Sequence, residues 1–175
     1  MIVSLNRKER NGSMKAIEDI RNHPLYVEAY KKLEQEEQER IFCCHQMEHL
    51  LDVARIAYIQ SLEQKLEIRK EVIYAAALLH DIGKYRQYTE GIPHEKASAE
   101  IAEVILNELS ENFFSETEKA SILRSILGHR RLREDMEVLE RLIYTSDKLS
   151  RKCFACKAQE ECDWDAGKKN FALEI

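Results

Sequence analysis

The amino-acid sequence predicts an all-α fold, a compact bundle of six or seven helices. Three observations lead there. Apolar residues recur at three- and four-residue steps in segment after segment. Only five glycines and two prolines interrupt the 175 residues. The composition, 34% charged and rich in Glu, Lys, Leu, Ala and Ile, suits helices better than sheets. No strand-like alternation, repeat or low-complexity tract is present. A chain of this length can bury one substantial core and is short for two. A single domain over residues 14–175 is therefore expected, its cysteine-containing C-terminal extension starting at about residue 152.

Residues 1–13 (MIVSLNRKERNGS) are polar and aperiodic and read as a flexible leader, with Met14 as an alternative start. Pro24 marks the first turn of a helix that Asn22 or His23 would cap. From Glu39 to Gln60, Ile41, His45, Glu48, His49, Asp52, Val53 and Ile56 share one helical face, which places both histidines inward. Residues 68–81 are apolar almost all round, as in a helix buried centrally, and Gly83 ends that run. Gly91-Ile92-Pro93 makes a turn before a helix over His94–Leu109. Ser115 and Glu118 form a capping box for a helix whose face is Ile122, Leu123, Ile126 and Leu127 and which ends at Gly128. A last helix, Glu134–Arg151, carries Leu139, Leu142, Ile143 and Ser146 or Asp147 on one side.

The net charge of −5 and a sequence pI near 5.8 give no general attraction to nucleic acid or anionic lipid. No apolar run is long enough for a membrane span, and no h-region of a signal peptide is present, so a cytoplasmic location is expected. Five cysteines in that setting read as thiols or metal ligands rather than disulfides.

The chemistry gathers in the histidines and aspartates. His80 and Asp81 follow Ala75–Leu79, so a helix delivers an imidazole and a carboxylate side by side into the core. Unpaired burial of both would cost several kcal/mol, which a bound cation offsets. One such histidine is ordinarily a satisfied core residue; His49, His80, Asp81 and Asp147 together make a mixed nitrogen and oxygen set. By ligand type that set suits Fe, Mn, Co, Ni or Zn.

The run ALLHDIGK (77–84), preceded by HLLDVA (49–54) and followed by YTSDKLSR (144–151), resembles the H…HD…D signature of the HD superfamily of metal-dependent phosphohydrolases. The likeness spans roughly residues 40–152. It implies an HD-domain-like helical fold with His49, His80, Asp81 and Asp147 as ligands of one metal. HEKASAE (94–100) and ILGHR (126–130) are similar to the extra histidine positions of dinuclear branches. Those branches include bacterial diadenosine tetraphosphate hydrolases and cyclic-dinucleotide phosphodiesterases. On that likeness His94 and His129 would carry a second metal, with Asp81 bridging. The connection from Asp81 to His94 is shorter here than in some of those branches.

The expected reaction is hydrolysis of a phosphate ester or anhydride, of a nucleotide in particular, by metal-activated water, with Asp81 and Lys84 as the catalytic residues. Two cations would bring a shared water towards a pKa of about 7 and clamp the phosphoryl oxygens. Lys84, Arg151 and His45 are the candidate substrate contacts. The resemblance implies that role for Lys84, whereas Arg130, Arg131, Arg133 and Lys148 read mostly as a solvated face. The expected partner is a small phosphorylated molecule, with no nucleic acid and no membrane; a homo-oligomer is left open.

Three other readings compete. An HD-type di-iron protein would activate oxygen instead of water, and a regulatory module would use its metal only to hold the fold. Residues 45–49 also spell HxxEH, the inverzincin arrangement with a general-base glutamate, which leaves His80, Asp81 and Asp147 unexplained. Cys153, Cys156 and Cys162 supply three thiolates, one short of a closed zinc site unless Cys43 or Cys44 joins them. Reduced thiols packed against the domain are the alternative.

Overall fold

The computed structural model describes residues 14–109 and 113–172, so the segment read as a leader lies outside the described residues. Eight α-helices follow in order: α1 Lys15–Asn22, α2 Pro24–Glu36, α3 Met47–Glu63, α4 Lys70–Leu79, α5 Lys84–Glu90, α6 His94–Glu108, α7 Glu116–Gly128 and α8 Val138–Leu149. Six of these match helices read from the sequence, and Lys15–Asn22 and the two-turn α5 are additions to them. Short 3-10 turns at Cys153–Ala155 and Ala166–Lys168 complete the described chain, which contains no strand.

Helix α4 is the axis. Val72, Ile73 and every residue from Ala75 to Leu79 are buried, because α3, α7 and α8 pack around them and α1 covers another side. Each fully buried Leu or Ile contributes roughly 1.5–3 kcal/mol relative to exposure. The run of three alanines lets neighbouring backbones approach closely. Helix α6 packs on α7 and α5, and so closes the bundle over the end of α4.

Helix ends follow local chemistry. The His23 ring accepts from the Leu25 amide and caps α2 ahead of Pro24. Ser115 and Glu118 form the expected reciprocal capping box on α7. A second capping box, Glu137 with Glu140, starts α8 four residues later than expected. Leu127, expected on the buried face of α7, is half exposed, while Ser125 and Gly128 lie inward.

The largest difference concerns α3, which begins at Met47 rather than near Glu39. Ile41 is 67% exposed, and His45 sits on the incoming loop. The loop is held by polar contacts that compete with a helix: the buried Glu37 carboxylate accepts from the His45 amide at 2.6 Å, and the Met47 amide donates to Tyr30 Oη at 2.8 Å.

Gly83 does not act as a left-handed cap. It precedes α5, with φ −89°, and a Cβ there would lie 2.4 Å from the Ser98 backbone nitrogen and 2.5 Å from the Ala97 carbonyl carbon. Close approach to α6 is what requires glycine, and the Ser98 hydroxyl accepts its amide at 2.9 Å. Gly91, with φ 70°, is the left-handed residue that ends α5 and lets the chain turn into α6 within three residues.

After α8 the chain folds back on itself. Asn170 donates to the carbonyls of Leu149 and Arg151, and its own carbonyl accepts from Phe154. No helix among the described residues is long and apolar enough to cross a membrane.

Gly83→Ala should lower stability by about 1–3 kcal/mol, because backbone rather than a flexible side chain must yield. An unchanged urea midpoint would show that the α5–α6 approach is not tight.

Candidate metal centre

Three elements bring four side chains together at the C-terminal end of α4. His80 and Asp81 leave that helix, His49 comes from the first turn of α3, and Asp147 comes from α8. All four are buried, with one ligand atom from each lying within 4.8 Å of the others. A second group, Asp81, His94 and His129, is equally close and shares Asp81. His94 opens α6, and His129 follows α7.

Asp81 stands between the two groups with its oxygens divided. Its Oδ2 is 3.2 Å from His80 Nε2 and 3.6 Å from His49 Nε2. Its Oδ1 is 3.3 Å from His94 Nε2 and 3.6 Å from His129 Nε2. Asp147 Oδ1 completes the first group, 3.4 Å from His49 Nε2 and 3.9 Å from His80 Nε2. The short connection from Asp81 therefore still delivers His94, because the left-handed Gly91 reverses the chain after α5.

The other ring nitrogen of each histidine is anchored. His80 Nδ1 donates to Ala77 O at 2.7 Å, and His129 Nδ1 donates to Ile126 O at 2.6 Å. His94 Nδ1 donates to Gln87 Oε1 at 2.5 Å. His49 Nδ1 donates to Ser150 Oγ at 3.1 Å, whose own proton goes to Asp147 O. Carbonyl oxygens only accept, so Nδ1 carries a proton and Nε2 is the nitrogen that faces the carboxylates. Such anchoring is the usual support for metal-binding imidazoles.

The fit to a cation shows in what lacks a partner. His80 Nε2 and Asp81 Oδ1 are fully buried and have no hydrogen-bond partner. Leaving both unmet is costly, and a divalent ion between imidazole nitrogens and carboxylate oxygens satisfies them together. The two groups could thus hold two ions with Asp81 shared.

Ionisation follows from burial and neighbours. Burial lowers His49 to about 4 and His94 to about 3, so both are neutral ligands in waiting. Burial acts in the same direction on His80, but Asp81 and Asp147 overcome it and raise that imidazole to about 9. Asp81 and Asp147 stay well below the usual carboxylate range despite burial; His80 and His45 hold Asp81 down, and Arg151 and Lys148 hold Asp147 down.

The remaining expected residues lie on the pocket of about 390 Å3 above this floor. His45 is buried, its Nδ1 donating to Glu37 and its Nε2 3.9 Å from Asp81 Oδ2; it adjoins the first group without joining it. Lys84 Nζ lies 3.4 Å from His94 Nδ1. Arg151 is buried, donates to Asp147 Oδ1 at 2.7 Å, and leaves its Nε without an acceptor. Two cations expected on a solvated face also line the pocket: Lys148, bonded to Asp147, and Arg130, bonded to Glu95. Arg133 instead pairs with Glu140 and Asp135, and Arg131 faces solvent.

Several residues escaped the sequence reading. Glu37 and Gln87 orient His45 and His94, Ser150 orients His49, and Tyr88 Oη donates to Glu37. Glu37 and Gln87 sit in polar stretches that read as surface. Ser150 alone carried a signal, being three residues past Asp147 on the same helical face.

Two alternative readings find no support among the described residues. Glu48 is exposed and pairs with Lys152, so the HxxEH segment presents no general base beside a zinc-binding pair. The three tail cysteines are not gathered either: among the described residues they form no group with sulfurs within 4.8 Å of one another. Cys43, Cys153 and Cys162 line the metal pocket, and Cys43, Cys44, Cys153 and Cys156 line a second pocket of about 410 Å3. All five cysteines are free.

Comparisons with known proteins agree with this geometry. A family model described as HD domain matches residues 47–152. An uncharacterized protein of Clostridium beijerinckii is 45% identical over 154 residues, covering 88% of this chain and 95% of the relative. The crystal structure of a predicted HD superfamily hydrolase from an uncultured Thermotogales bacterium aligns with a TM-score of 0.66 at 20% identity. That alignment covers 94% of this chain and 87% of the other and shows a shared fold.

His80 must lose its proton to bind an ion, and it holds that proton up to about pH 9 in the metal-free protein. Metal affinity should therefore rise with pH up to that value. Zinc binding at about pH 7.5 should release roughly one proton from this residue. Calorimetry in buffers of different ionisation enthalpy reads this, and a buffer-independent heat would contradict it. His129→Ala should lower the metal content from two ions per chain to one, measured by elemental analysis; an unchanged content would remove the second group.

Proposed function

The chain belongs to the HD domain family, and from that premise we propose that it is a metal-dependent phosphohydrolase cleaving a phosphate ester or anhydride of a nucleotide. The observation that carries this reading is one pocket lined by Asp81 and Asp147, by His94 and His129, and by six cationic side chains. These are Arg40, Lys84, Arg130, Lys148, Arg151 and Lys168, in a chain of net charge −5. Such local excess of positive charge, against the sign of the whole protein, suits a phosphorylated substrate.

Ions held by His49, His80, Asp81 and Asp147, and by Asp81, His94 and His129, supply Lewis acidity when bound: they acidify water and neutralise charge on phosphoryl oxygens. Everything else falls to the chain's own side chains. Burial lowers the pKa of Lys84, and although Asp81 favours its charge, Arg151 and Arg40 repel it. An arriving phosphate dianion relieves that repulsion, so Lys84 binds substrate oxygen rather than a protein carboxylate. Arg151 spends one nitrogen on Asp147 and keeps Nε–H for an anion. Gln87 and Ser150 fix the rings of His94 and His49, which sets the direction of their lone pairs without motion during turnover. The nucleotide class is supported by Phe42, Tyr88 and Trp164, which give the same pocket aromatic walls.

A panel of nucleotides and simple phosphate esters, assayed with manganese or ferrous iron, tests this reading. Metal-dependent release of phosphate or nucleotide is expected, and its loss in Asp81→Ala. Full activity of that variant, or oxygen-dependent turnover by the iron-loaded protein without hydrolysis, would contradict it. Gln87→Leu should reduce activity by about 10–100-fold through a loosened His94; unaltered turnover would show that the ring needs no anchor.

A further inference from the structure

We propose that Trp164 is the platform on which the nucleotide base stacks, so that the segment following α8 selects the substrate. The proposal rests on the phosphohydrolase reading above and extends it to one residue outside the family match. That match ends at residue 152, and the candidate metal ligands all lie within it. Trp164 and Lys168 line the same pocket from beyond it. The floor of the site is thus built by the HD region, and this part of the wall by a separate stretch of chain.

The wall is a built structure. Asn170 bonds back to the carbonyls of Leu149 and Arg151, and Lys169 Nζ donates to Cys162 O two residues before the tryptophan. The indole lies against Lys148 Nζ at 5.7 Å and the Arg151 guanidinium at 5.6 Å. Those two cations also hold Asp147, so one continuous path runs from the indole through Lys148 and Arg151 to the metal centre. A nucleotide has this same order of parts: a flat aromatic base, then a chain of phosphates ending at the reacting phosphorus.

Trp164 is still 36% exposed after these contacts, which leaves apolar ring surface facing a pocket otherwise rich in charge. A base covering it removes that surface from water, and the flanking cations strengthen stacking by drawing electron density across the indole. The other aromatic walls are less available. Phe42 and Tyr88 are more deeply buried than Trp164, and the Tyr88 hydroxyl is committed to Glu37.

Trp164 is the sole tryptophan of the chain, so its fluorescence reports this site alone. Methylene-bridged nucleoside di- and triphosphate analogues should quench it saturably in the full-length protein, and inorganic tripolyphosphate should not. With hydrolysable substrates, Trp164→Ala should raise KM for the nucleotide about tenfold more than for tripolyphosphate, the loss of one stacked base. Trp164→Phe should recover most of that difference. A merely structural latch would move both substrates equally, because both use Lys148 and Arg151; equal changes would overturn the proposal. Absence of quenching by every nucleotide analogue would overturn it too. Saturable quenching without any hydrolysis would support the platform while removing the phosphohydrolase reading. Hydrolysis of phosphate esters with no base dependence would do the reverse.

Discussion

The structure depends on one unfavourable act of burial, the placement of two carboxylates and four imidazoles in the interior of a helical bundle. Asp81 and Asp147 are 2% and 3% exposed, and His80 is not exposed at all. Protein groups meet only part of the demand. Arg151 and Lys148 neutralise Asp147, and a protonated His80 lies beside Asp81, while Asp81 Oδ1 has no hydrogen-bond partner. A bound cation would supply the missing compensation and let the polar cluster coexist with the apolar helix α4.

Around that cluster the fold acts as a frame that restricts imidazole rotation. Main-chain carbonyls of Ala77 and Ile126 hold the rings that follow α4 and α7, three residues back in each case. The same i to i−3 geometry serves both histidines because both stand at the ends of helices, where carbonyls lack helical partners. His49 and His94 begin their helices instead and need side chains, Ser150 and Gln87, for the same purpose. Helix starts and helix ends thus converge on one point with matched tautomers.

Much of this was legible in the sequence, for identifiable reasons. The run Ala75–Leu79 before His80 and Asp81 announces buried polar groups, and Asp147 lies on a face shared with Ile143. His94 was readable although its connection is short, since Gly91 and Pro93 mark the reversal. The start of α3 was misread because His45 and His49 are four residues apart, the spacing of a helical face. The real cause of their proximity is Glu37, whose buried carboxylate folds the loop so that the rings meet at 5.5 Å. Glu37, Gln87 and Trp164 left no trace in periodicity. Each acts through a contact between segments distant along the chain, and a polar or aperiodic stretch carries no sign of such a contact.

The division of labour between floor and wall is the wider consequence. The residues that could hold ions lie within 47–152, and flanking stretches around Arg40 and Trp164 line the pocket above them. Crystals soaked with manganese and measured for anomalous scattering would examine the central claim directly. The account predicts one peak enclosed by His49, His80, Asp81 and Asp147, and another enclosed by Asp81, His94 and His129. Clear density for all these side chains with no peak among them would contradict it.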